Sequence, residues 1–70
     1  MTPSKHLFHF TLIDFQGVVI GETSQSYSAV KHAVGRAGVL QWNTKNCARV
    51  IIESDWGFHV TIEWGVRRNY

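Results

Sequence analysis

Four histidines (His6, His9, His32 and His59) and one cysteine, Cys47, are the side chains of this chain best suited to hold a metal. Their spacing argues against it. His6 and His9 are three apart, and on a strand that spacing puts them on opposite faces. His32 falls in a helical pattern and His59 in a late strand. No Cys-x-x-Cys, His-x-x-x-His or carboxylate partner completes a ligand set. Ser54, Asp55 and His59 supply triad residue types, but they cluster at a hairpin tip with no oxyanion donor or cleft implied. Lys45 and Arg49 flank Cys47 and could lower its pKa, but a lone cysteine is more often a small half-buried apolar residue. The glycines at 35 and 38 close a helix, whereas a phosphate site needs them before one. The expectation is a protein without enzyme activity, cofactor or metal.

The aromatic residues sit where turn chemistry normally excludes them. Phe15 falls in one predicted hairpin turn, Trp56 in another and Trp42 in a predicted helix-to-strand loop. Turns favour small or polar residues. A large ring there either folds back onto the sheet or meets a partner, and Trp, Tyr and Arg dominate binding hot spots. Charge supplies a second candidate surface. The chain carries 7 basic and 5 acidic residues, a net charge of +2. From Thr23 to Ile52 it has no acid, against Lys31, Arg36, Lys45 and Arg49. Such a stretch points toward an anionic partner, phosphate or carboxylate. The predicted partner-binding set is Lys31, His32, Arg36, Trp42, Lys45, Arg49, Trp56 and Phe15. Arg67, Arg68 and Tyr70 form a basic tail beside it. No RNA-recognition signature of the Lys/Arg-Gly-Phe/Tyr type is present.

These residues need a scaffold, and the pattern supplies one. Leu7 to Ile13 alternates at period 2, with Phe8, Phe10 and Leu12 on one face and Leu7, His9, Thr11 and Ile13 on the other. Phe15-Gln16-Gly17 reads as a three-residue hairpin loop with Gly17 left-handed, followed by a strand over 18–22. In that register Asp14 faces Val18 and Leu12 faces Ile20. Thr23 to Ser26 is rich in helix-capping residues, so a helix is expected over about 25–37. Its apolar stripe would be Tyr27, Val30, Val34 and Ala37, with Gly38 as left-handed C-cap and a loop from Val39 to Asn46.

Two β-branched runs then flank Asp55-Trp56-Gly57. They predict strands over 48–54 and 58–64, pairing Ile52 with Val60, Val50 with Ile62 and Ala48 with Trp64. The other face pairs Glu53 with His59, Ile51 with Thr61 and Arg49 with Glu63. The fold class is therefore α+β in the order β-β-α-β-β, one antiparallel four-stranded sheet with one helix on one face. The expected core is Phe8, Phe10, Leu12, Ile20, Tyr27, Val30, Val34, Val50, Ile52, Val60 and Ile62. Seventy residues make a single domain with a thin core. No signal peptide or membrane span is read in the sequence, and one thiol forms no internal disulfide, so a cytoplasmic protein is expected.

An aromatic-rich hairpin, the run Gly21-Glu22-Thr23-Ser24 leading to Ala29-Val30-Lys31-His32-Ala33, and strands from Arg49 onward make a layout that resembles small phage-encoded host-takeover inhibitors. These include type I anti-CRISPR proteins and inhibitors of bacterial RNA polymerase. The resemblance is one of order and size, covers most of the chain, and transfers no functional residue. It implies an inhibitor that blocks a surface of a larger host protein or nucleoprotein complex. Direct nucleic-acid binding and a small assembly protein that dimerises through a sheet edge are the other readings the sequence leaves open.

Overall fold

The computed structural model describes residues 5–63 and the backbone of residues 66–69. The elements run β1 (His6–Asp14), β2 (Val19–Tyr27), α1 (Val30–Asn43), β3 (Cys47–Ser54), β4 (His59–Glu63) and β5 (Val66–Asn69). The fold is α+β: one antiparallel sheet with strand order β2-β1-β3-β4-β5, with α1 across one face. The expected four strands are present. The stretch read as a basic tail adds a fifth, paired antiparallel with β4. The chain leaves β2 at one edge, crosses β1 by way of α1 and returns as β3, so β3 is the central strand with β1 and β4 on either side.

The face under α1 holds Phe8, Phe10, Leu12, Cys47, Val50, Ile52, Val60 and Ile62, closed by Ala33 and Ala37 of the helix. Tyr27, Val30, Val34, Leu40 and Phe58 pack around its margin. Small residues at the centre of the helix stripe let α1 approach the sheet closely, and the two phenylalanines fill the space beneath.

The second hairpin has the register expected from its sequence: Ile52 with Val60, Val50 with Ile62, Glu53 with His59, Ile51 with Thr61 and Arg49 with Glu63. The Ala48–Trp64 pairing lies outside the described residues. Both tight loops are closed by the same device. Asp14 Oδ1 accepts from the N–H groups of Gln16 and Val18, at 2.8 and 2.9 Å. Ser54 Oγ accepts from those of Trp56 and Phe58, at 3.3 and 2.9 Å. Gly17 and Gly57 both take positive φ, 84° and 92°, in the position where a side chain would be strained.

Three expectations need correction. The first concerns β2, which runs to Tyr27 rather than stopping at 22, so Thr23 to Ser26 pair with β1 instead of capping a helix. A nine-residue β1 offers a full edge, and Thr23-Ser24-Gln25-Ser26 satisfies its own backbone by pairing there. Within β2 the register shifts once. Ile13 pairs with Val19 but Leu12 pairs with Gly21, leaving Ile20 as the extra residue of a β-bulge. Leu12 therefore does not face Ile20, and Ile20 is 41% exposed rather than core.

The helix is the second correction. It spans Val30–Asn43, five or six residues later than expected at either end. Gly38 is interior to it, and Val39 to Asn43 is helix rather than loop. Leu40 packs on the core, and Gln41 Nε2 donates to the Ala48 carbonyl at 2.8 Å, so the extra turns are held by tertiary contacts. The left-handed reversal that Gly38 was expected to make is made by Asn46, at φ 65°. The third correction is Ile13, which is buried yet outside the cluster beneath α1.

Candidate binding surface

Phe15 and Trp42 come from separate elements and meet at one end of the sheet. Phe15 occupies the β1–β2 loop, where Asp14 and Gly17 fix the backbone, and it is 70% exposed. Trp42 lies in the last turn of α1 and is 77% exposed. The two rings line one hollow of about 240 Å³ together with Gln41, Thr44, Asn46 and Cys47. A second hollow of about 350 Å³ adjoins it, lined by Asp14, Phe15, Gln16 and Asn46. The floor is firm. Gln41 and Cys47 are buried, and the Cys47 thiol donates to the Arg49 carbonyl at 3.3 Å. Burial pushes the Cys47 thiol above its ordinary pKa, against the smaller opposing effect of backbone hydrogen bonds at Ile13 and Arg49. Desolvation, not the charge of Lys45 and Arg49, governs this thiol, in keeping with its reading as a small apolar residue.

Lys31, His32 and Arg36 are exposed on the outer side of α1. Lys31 and Trp42 are about three turns apart and share a helix face, roughly 16 Å along the axis. Lys45 is exposed between Thr44 and Asn46, two residues that line the first hollow. Six of the eight predicted residues thus lie on α1 or at its C-terminal end: Lys31, His32 and Arg36 exposed along the helix, and Trp42, Lys45 and Phe15 at its end.

The other two lie elsewhere. Arg49 alternates with Val50 and Ile52 of the core, so it faces the opposite side of the sheet, with Glu63 as its cross-strand neighbour. Trp56 belongs to the far hairpin, beside the start of β1. It is 50% exposed and folded back, with its ring 5.5 Å from His6 in an edge-on arrangement and 5.6 Å from Phe58. Asp55 and His6 add a contact of 3.5 Å at the same tip.

The open face of the sheet carries a cluster that the sequence reading missed. His9 bridges β1 to β2, with Nε2 2.8 Å from Glu22 Oε1 and Nδ1 2.8 Å from Ser24 Oγ. A carboxylate only accepts, so Nε2 carries a proton, and a neutral His9 then accepts the Ser24 hydroxyl at Nδ1. The signal was in the pattern, but only with β2 extended through Ser24. Gln41 and Asn46 were missed for a related reason: both were read as loop. Ser54, one of the triad-type residues, uses its hydroxyl oxygen to close the second hairpin loop. Among the described residues no buried side-chain polar atom lacks a hydrogen bond, and no group of three or more His, Cys, Asp or Glu converges. No described helix is long and apolar enough to cross a membrane. Compared with protein-family models, curated proteins and solved structures, the chain matches none.

Proposed function

We propose that this chain is a non-enzymatic binding protein that acts by covering a surface of a larger macromolecule. The working surface is the strip from Lys31 along α1 to Trp42, Lys45 and Phe15. The observation that carries this reading is the exposure of Phe15 and Trp42 on one hollow with a buried, hydrogen-bonded floor. Two large rings on separate elements, each more than two-thirds exposed, are costly for solubility and suit hot-spot anchors. The acid-free basic strip beside them suits an acidic protein groove, steering the encounter while the rings hold the complex. An inhibitor of a host protein or nucleoprotein complex, the class that the sequence layout resembles, works in this way.

A tagged pull-down from the source cell, with and without nuclease, would identify the partner. Phe15→Ala and Trp42→Ala should then each weaken binding at least tenfold, with only shallow salt dependence. The triple variant Lys31→Ala/Arg36→Ala/Lys45→Ala should lose mainly association rate at low salt. A steep, log–log linear fall of affinity with salt, combined with capture that nuclease abolishes, would instead identify nucleic acid as the ligand. Unchanged binding by all these variants would refute the surface.

A further inference from the structure

The two edges of the sheet are guarded unequally. β5 is four residues long and includes Arg67 and Arg68, and short length and positive charge are common defences of an edge. β2 is nine residues long and exposed along nearly its whole length. It contains no Lys, Arg or Pro, and its one charge, Glu22, is held by His9 at 2.8 Å. From Gly21 to Tyr27 it keeps one unbroken register with β1, so its outer backbone groups are regularly spaced for another strand. At its start Val18, Val19 and Ile20 are apolar and exposed.

The geometry points to a second copy of this chain as the occupant of that edge, in an antiparallel β2–β2 pair that joins two sheets across a two-fold axis. Alternate residues of an edge strand direct their backbone groups outward, and both copies offer the same set. Self-pairing must therefore centre on a residue, not between two. Centring on Glu22 would set two carboxylates face to face. Centring on Thr23 instead pairs Gly21 to Gln25 of each copy, within the unbroken register and clear of the bulge at Ile20. It opposes Thr23 to itself and Glu22 to Ser24. It also brings the exposed apolar start of each β2 toward the Tyr27 end of the other. The arrangement is closed by symmetry and rests on the β2 edge alone, so it does not depend on the function proposed above. One strand pair is smaller than a standard interface of roughly 1,200–2,000 Å², so the dimer is weak and forms on concentration.

Sedimentation equilibrium of the purified chain, from about 10 μM to about 1 mM, tests this as an order-of-magnitude range suited to a weak pair. The wild type should pass from monomer to dimer. Thr23→Lys and Thr23→Glu, at an exposed position and with unchanged circular dichroism, should each remain monomeric because like charges meet at the axis. An equimolar mixture of the two should recover the dimer, which a mere loss of fold would not allow. A wild type that stays monomeric throughout would overturn the proposal. Dimerisation of either variant alone would do the same, as would failure of the mixture to associate.

Discussion

Gln41 and Cys47 show how much a single side chain carries in so thin a core. Gln41 is the one polar residue fully buried among those described, and its amide satisfies the Ala48 carbonyl. Gln41→Ala would leave that carbonyl unpaired beneath the helix, a loss of about 1–3 kcal/mol in denaturant unfolding. Gln41→Leu would share the loss despite its better packing. Cys47 should react with a thiol reagent at neutral pH only as fast as the protein opens, because burial raises its pKa and hides the sulfur. A proton held more tightly in the folded state stabilises it fully below the ordinary thiol value of 9.0. That stabilisation is lost as pH rises through the higher folded value. Cys47→Ala should flatten the alkaline fall in melting temperature that begins near 9.0 and ends at the higher folded value, while lowering the melting temperature at neutral pH. Phe8, Phe10, Val50 and Ile52 were legible as core because alternation alone fixes them. Ala37 was legible on the apolar stripe of the helix, but Gln41 was not, because it fell in the expected loop, and Ala33 was not, because a small residue adds little to an apolar pattern.

At the scale of elements, α1 is weak by its own sequence. Its N-cap, Ala29, makes no side-chain cap bond, and its first turn holds no acid. Gly35 and Gly38 are interior to the helix, and a Cβ added at either would meet nothing within 4 Å. Gly35→Ala and Gly38→Ala should each stabilise the protein by about 1 kcal/mol. In a domain of this size that is a rise of roughly 4–8 °C in melting temperature, read by thermal circular dichroism. If the outer face of α1 is the working surface, either change should also weaken partner binding. The same weakness explains why the helix bounds were misread. Caps and glycines placed it at 25–37, whereas packing of Leu40 and Gln41 draws it to Val30–Asn43. The second hairpin carried no such conflict. Turn residues, alternation and opposed charges agreed, and its described register is the expected one.

The whole molecule is one sheet with two unlike sides. The helix side is basic along Lys31, Arg36 and Lys45, and the open side carries Glu22, Glu53 and Glu63 with Arg49, His9 and His59 among them. Neither hairpin shares a core separate from the other, since Val50 and Ile52 lie beneath α1 and against β1 at once. Val50→Asp should therefore unfold the entire chain rather than loosen one end, seen as loss of the cooperative thermal transition. The bulge at Ile20 has the opposite implication for tolerance. Ile20 is the residue that β1 does not pair, so excising it would join Ile13–Val19 to Leu12–Gly21 in one continuous ladder without moving any other partner. A strand normally cannot survive the loss of a residue, because every later side chain changes face. Here the shortened chain should still fold. What it loses is the local twist that bends one end of the edge away from neighbouring molecules, and its solubility limit should fall even as its melting temperature holds.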